Sequence, residues 1–141
     1  MAKLILASHG DFCTGACSAL KMFAGDSIDV VTVSLGDDGV GPFRDQLRAA
    51  VESADEDLII VTDLAGGTPC NEATALGLAD PQRIRVVAGM NLPMLVELTV
   101  ALMTGAPADV AISKGVEAGR AGVHPIDLIV QDDEQDEDGL F

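Results

Sequence analysis

Two short polar segments carry residue types suited to group transfer. Ser8-His9-Gly10-Asp11 follows the apolar run Lys3–Ala7, and Asp63-Leu64-Ala65-Gly66-Gly67-Thr68-Pro69 follows the run Leu58–Thr62. An imidazole with one ring nitrogen bonded to a carboxylate has its tautomer fixed, which leaves the other nitrogen as a nucleophile. The same carboxylate balances the positive charge that builds on the ring as it attacks. His9 and Asp63 are the residue types this chemistry needs. Gly66 and Gly67 let the backbone approach a ligand without β-carbon interference. Thr68 followed by Pro69 predicts an N-cap and a first helical position. Such a helix start offers free N–H groups and the positive end of a dipole, a site suited to phosphate. Taken together, the segments point to a histidine that receives a phosphoryl group, with the backbone N–H groups of 66–68 and the Thr68 hydroxyl holding the phosphate oxygens. Phosphoryl transfer asks mainly for positioning and charge stabilisation, so this reading assigns no cofactor and no metal.

Other candidates compete for the same residues. Cys13 and Cys17 lie four apart near His9, a spacing from which a metal or redox site can be built, although cysteine is also a common small core residue. Cys70, near the start of a predicted helix, is placed for a lowered thiol pKa or for simple packing. Asp63 at a strand end is the phosphoacceptor position of receiver domains, but those need an acidic cluster where this chain has Ser8-His9, with only Asp11 nearby. A non-catalytic oligomeric regulatory module holding an anion on the Gly66-Gly67-Thr68 loop is a further alternative, and it predicts phosphate binding that survives loss of His9. His124, before Pro125, is assigned a structural or surface position.

The elements that must position these residues alternate. Short apolar or β-branched runs at 3–7, 28–33, 58–62 and 84–88 predict strands. Helical spacing marks 13–24, 43–54, 69–79, 92–104 and 108–121, with Phe43, Leu47, Ala50 and Val51 on one face of the second and Pro42 just inside its start. A final strand is expected near 125–130. Near-continuous apolar strands separated by helices imply an α/β fold: an open, mostly parallel sheet with helices on both faces. Ligands of such sheets collect outside the carboxyl ends of the strands, where the strand order reverses. An order of 2-1-3-4 makes the first and third strands neighbours and brings His9 to Asp63. The stretch 92–104 is apolar nearly all round, which favours a helix half-buried against a second subunit and hence a homo-oligomer.

Composition bounds the rest. The chain has 141 residues, enough for a single domain. Eight basic residues against 23 acidic give a formal charge of −15, which repels phosphate backbones and anionic lipid and so excludes nucleic acid and the membrane as direct partners. With four Phe and no Trp or Tyr, stacking platforms for single strands or sugars are disfavoured as well. Removing the six acids of 132–138 leaves −9 on residues 1–130, the expected folded domain. Residues 131–141 read as a solvated, disordered acidic tail. No export signal is read at the start, and no apolar stretch is long enough to span a bilayer. Three cysteines without an export signal predict free thiols in a reducing cytoplasm.

The segments SHG, VTDLAGGTPCNEA and VVAGMNLPMLVEL, in that order, and Ala118-Gly119-Arg120-Ala121-Gly122 beyond them resemble the IIA component (EIIA) of the mannose-type bacterial sugar phosphotransferase system over roughly residues 3–125. The resemblance implies that His9 is the phosphorylated histidine, Asp63 its orienting aspartate, and Gly66, Gly67 and Thr68 the phosphate-binding loop. It also implies a cytoplasmic phosphotransferase that takes a phosphoryl group from the phosphocarrier HPr and passes it to the IIB component, serving the membrane subunits IIC and IID indirectly. By the same resemblance the protein is a homodimer whose last strand is exchanged between subunits. The acidic tail lies outside the family pattern, and Asp11-Phe12-Cys13 falls where the pattern varies.

Overall fold

The computed structural model describes residues 1–129; the expected acidic tail and the end of the expected final strand lie outside the described residues. Four strands, β1 (Lys3–His9), β2 (Val30–Leu35), β3 (Leu58–Thr62) and β4 (Ile84–Ala88), pair in parallel in the order β2-β1-β3-β4. Five helices connect and follow them: α1 (Phe12–Ala24), α2 (Val40–Glu52), α3 (Thr68–Ala79), α4 (Leu92–Met103) and α5 (Ala108–Ala121). None is long and apolar enough to cross a membrane. The expected α/β sheet and its order are therefore those observed.

Side-chain alternation splits the core into two layers. Leu4 and Leu6 of β1, Ile59 and Val61 of β3 and Val87 of β4 face one side, where they meet Cys13, Cys17 and Leu20 of α1 and Leu95, Leu98 and Leu102 of α4. Ile5, Ala7, Leu58, Ile60 and Ile84 face the other, against Phe43, Leu47 and Val51 of α2 and Ala73 of α3. Strands apolar on both faces are what a doubly covered parallel sheet requires. The spacing 43, 47, 51 gives α2 a single buried stripe, with Phe43 and Leu47 fully enclosed. On α5 the buried Gly115 and Gly119, with Gly122 at the C-cap, let α4 come close: a β-carbon on Gly119 would lie 3.0 Å from Met94 Cβ, and one on Gly122 2.6 Å from Pro93 Cγ.

Several boundaries differ from the sequence expectation. β2 begins at Val30 rather than 28, because Ile28 reaches the core from the loop before the strand. Helix α2 starts three residues early, at Val40, so Pro42 is its third residue; its missing N–H still falls among the donors that have no intrahelical acceptor. The N-cap of α3 is Gly67, in extended geometry, not Thr68, and no side chain caps it. The final strand does not form in the single chain: residues 125–129 carry no regular secondary structure, and Ile126, Leu128 and Ile129 are exposed.

Candidate functional site

The chain leaves β1 for β2 on one side of the sheet and leaves β3 for β4 on the other, so the order reverses between β1 and β3. Their carboxyl ends open on a common crevice. His9 ends β1, and Asp63 is the first residue beyond β3.

Across this crevice one carboxylate oxygen of Asp63 serves His9 twice. Oδ2 accepts the His9 backbone N–H at 2.9 Å and lies 2.9 Å from ring Nδ1. With Nδ1–H as the donor, the ring takes the tautomer whose lone pair is on Nε2. The His9 side chain is 47% exposed while that of Asp63 is 14% exposed, so an accessible ring is oriented by a largely covered carboxylate. Asp63 Oδ1 is buried without a hydrogen-bond partner among the described residues. Burial pushes the Asp63 carboxyl up, but the hydrogen bonds from the His9 amide and ring, together with the ring's charge, outweigh it and hold the group below its ordinary value.

The turn carrying His9 is braced from within the protein. Gly10 takes a left-handed φ of 52° and donates its N–H to Leu35 O of β2 at 2.8 Å. The fully buried Ser8 hydroxyl accepts the Cys13 N–H at 2.7 Å and donates to Gly10 O at 3.1 Å, so it serves the start of α1 where Asp11, the N-cap residue, makes no side-chain bond. Sequence reasoning gave Ser8 no role, and its burial was the missing signal.

The opposing loop presses Gly67 against the ring. A β-carbon on Gly67 would stand 2.8 Å from His9 Cε1 and 3.5 Å from Nε2. Gly66 has a φ of 82°, a conformation that glycine adopts without strain. The Gly67 N–H is donated to Leu64 O at 3.1 Å, which closes the turn. The helix N-terminus offers Thr68 and Cys70 N–H groups that have no intrahelical acceptor, and Pro69 between them has none to offer. The loop is tied to its helix by Asn71, whose backbone N–H bonds Gly67 O at 2.9 Å and whose side-chain Nδ2 bonds Gly66 O at 3.2 Å. A bidentate pair from Arg44 to Glu72, at 2.7 and 3.0 Å, tethers the same turn to α2 and holds the Glu72 carboxyl below its ordinary value. Neither tether was read from the sequence.

The remaining candidates fall elsewhere. Cys13 and Cys17 are buried on the inner face of α1, with the Cys13 sulfur 3.5 Å from Val33 O and 3.4 Å from Ser34 Oγ. Cys70 is partly exposed, its sulfur 4.0 Å from Thr74 Oγ1. His124 lies beyond α5, with its ring nitrogen on Pro125 O. Among the described residues no group of three or more His, Cys, Asp or Glu is gathered to hold a metal.

The chain has relatives among known proteins. A sequence profile of the family described as "PTS system fructose IIA component" matches residues 3–114. The chain belongs to this EIIA family of the sugar phosphotransferase system (PTS). It is similar to the fructose-specific EIIA component of Bacillus subtilis (29% identity; 70% of this chain and 68% of that one) and to the sorbose-specific EIIA component of Klebsiella pneumoniae (28%; 70% and 73%). A segment of 66 residues is 36% identical to the mannose-specific EIIAB component of Escherichia coli, covering 47% of this chain and a fifth of that longer protein. Among solved structures, the mannose/sorbose-specific IIA subunit from Enterococcus faecalis superposes with a TM-score of 0.79 at 31% identity, over 92% of this chain and 98% of that one. The EIIA component from Streptococcus agalactiae gives 0.77 at 29%, over 89% and 97%. The resemblance drawn from three sequence segments thus extends to the whole EIIA fold.

Proposed function

We propose that this EIIA chain is a phosphohistidine carrier: His9 accepts a phosphoryl group from phospho-HPr and passes it to a histidine of the IIB component, in the cytoplasm, upstream of the membrane subunits IIC and IID. The observation that carries the reading is the pair of hydrogen bonds from His9 to Asp63 Oδ2, one from its backbone N–H and one at ring Nδ1, which commits Nδ1 and leaves Nε2 beside Gly67 and the start of α3. Nε2 attacks phosphorus with its lone pair and forms a P–N bond. The P–N bond of the donor breaks, and its electron pair returns to the donor's imidazole. Positive charge gained by the His9 ring is balanced by Asp63, while the Thr68 and Cys70 amides and the Thr68 hydroxyl hold the phosphate oxygens. Transfer to IIB is the same step in reverse from the chain's side. The naming of one relative as a combined EIIAB component supports a IIB acceptor.

The reading includes a homodimer with an exchanged last strand. Its support is the edge of β4, which pairs with no further strand among the described residues, the exposed apolar side chains Ile126, Leu128 and Ile129, and Val100 and Met103 left exposed on α4.

Intact mass after incubation with phosphoenolpyruvate, enzyme I and HPr tests the carrier reading. The wild type should gain one acid-labile phosphoryl group and His9→Ala none, since a strand-end loop residue contributes little to the core. Phosphorylation of His9→Ala, or none of the wild type with active HPr, would reject it.

A further inference from the structure

Asn71 has a position that helix formation alone does not favour. It is exposed on the first turn of α3, where asparagine is a poorer helix former than alanine. Yet it reaches back and bonds two successive carbonyls of the loop: Gly67 O through its backbone amide at 2.9 Å and Gly66 O through its side-chain amide at 3.2 Å. Of these, only the side-chain bond depends on the residue type. The carbonyl it takes belongs to a left-handed glycine followed by another glycine, the pair with the most freedom to lose on ordering.

The tolerance at this point is small. Gly67 packs so close to His9 Cε1 that a β-carbon there would lie 2.8 Å away, so a loop shift of a few tenths of an ångström alters the contact on the ring edge that carries Nε2. Rotation of the Gly66–Gly67 peptide would also break the bond from Gly67 N–H to Leu64 O, which closes the turn.

We propose that Asn71 is a positioning residue for phosphoryl transfer at His9. Its carboxamide fixes the Gly66 carbonyl and so keeps the Gly66–Gly67 peptide seated against the imidazole, with the first amides of α3 aimed where the phosphate oxygens must sit. This role rests on the reading of His9 as the phosphoryl acceptor, and it makes a prediction that does not.

The test compares the full chain with Asn71→Ala, which removes the clamp and improves helix propensity, and with Asn71→Asp, which keeps the shape but replaces the donor with an acceptor facing a carbonyl. Both variants should hold wild-type thermal stability or, for Asn71→Ala, exceed it. The Gly67 amide should nevertheless exchange its hydrogen roughly tenfold faster in the unphosphorylated protein. The maximal rate of transfer from phospho-HPr should fall roughly 10- to 100-fold, the scale expected of a sub-ångström to ångström misplacement, with KM for the donor within about twofold. Wild-type exchange at Gly67 in either variant would overturn the clamp, and so would an unchanged transfer rate. If the wild type itself takes no phosphoryl group, the carrier reading fails, while the exchange result still decides whether Asn71 holds the loop.

Discussion

Gly67 and His9 pack so closely that the glycine has space for a hydrogen and for nothing larger. A methyl group at Gly67 would sit 2.8 Å from Cε1 of the imidazole, well inside contact distance, and 3.3 Å from Leu64 O. Its backbone, with φ of −79° and ψ of 168°, is one that any residue adopts. Gly67→Ala therefore carries no backbone strain and must displace the ring. We expect unfolding in urea to be nearly that of wild type, and phosphoryl uptake from HPr to slow by roughly 100-fold. A normal uptake rate would show that the ring tolerates the displacement.

Its neighbour behaves in the opposite way. Gly66 has a φ of 82° and open space where a β-carbon would point. Gly66→Ala meets no clash but must hold an alanine in the left-handed region, at about 1–2 kcal/mol. A fall in Tm of a few degrees is expected from calorimetry, and an unchanged Tm would mean that the loop has relaxed to a different conformation.

Asp63 makes stability depend on acid. Its carboxyl is held below the ordinary value in the folded chain, so the stability it contributes is present above the unfolded value of about 3.9 and is lost as pH falls through the lower, folded value. Asp63→Asn has no such dependence. The wild type should exceed the variant by roughly 1 kcal/mol at neutral pH, and the gap should close on acidification below about pH 4. Denaturant titrations at several pH values check this; a gap that widens in acid would reverse the assigned sign. On the proposed carrier role the same substitution removes the charge that would balance the attacking ring, so it should also slow phosphoryl uptake.

The glycines of α5 are a packing device distinct from the site. At Gly119 a β-carbon would meet Met94 Cβ at 3.0 Å and the Asn91 carboxamide oxygen at 3.1 Å, and that oxygen caps α4 through Met94 N–H. Asn91 Nδ2 also bonds Gly119 O at 2.9 Å. Gly119→Val must push the helices apart and loosen the cap, at about 1–3 kcal/mol in urea unfolding. Phosphoryl uptake measured well below the midpoint should be unaffected, since His9 and Asp63 lie on other elements.

Much of this arrangement was legible in the residues. The doubly apolar runs at 58–62 and 84–88 require cover on both faces, which fixed the sheet as parallel, and the reversal between β1 and β3 followed from the order 2-1-3-4. That order is what brought His9 to Asp63 across 54 positions. Local signals were weaker at the ends of elements. Thr68-Pro69 reads as a cap and first position, but the turn through Gly66 delivers an extended Gly67 as the cap instead. Other hydrogen bonds that form only once the turns close were not legible. The buried Ser8 hydroxyl, the Arg44–Glu72 tether and the Asn71 clamp each join groups whose meeting depends on the completed turn. The strand expected near 125–130 has apolar residues suited to a sheet, and a single chain provides no partner edge that it pairs with among the described residues.

The chemistry proposed for His9 turns on one atom. Asp63 Oδ2 lies on Nδ1 of His9, so on the proposed carrier role the phosphoryl group forms its bond to Nε2, on the side of Gly67 and α3. Nitrogen-15 and phosphorus-31 NMR of the histidine-labelled chain, phosphorylated through HPr, reads which ring nitrogen is bonded to phosphorus. The predicted result is one phosphohistidine, at His9, with phosphorus on Nε2 and the proton retained on Nδ1. Phosphorus on Nδ1 of His9, or on His124, would contradict it.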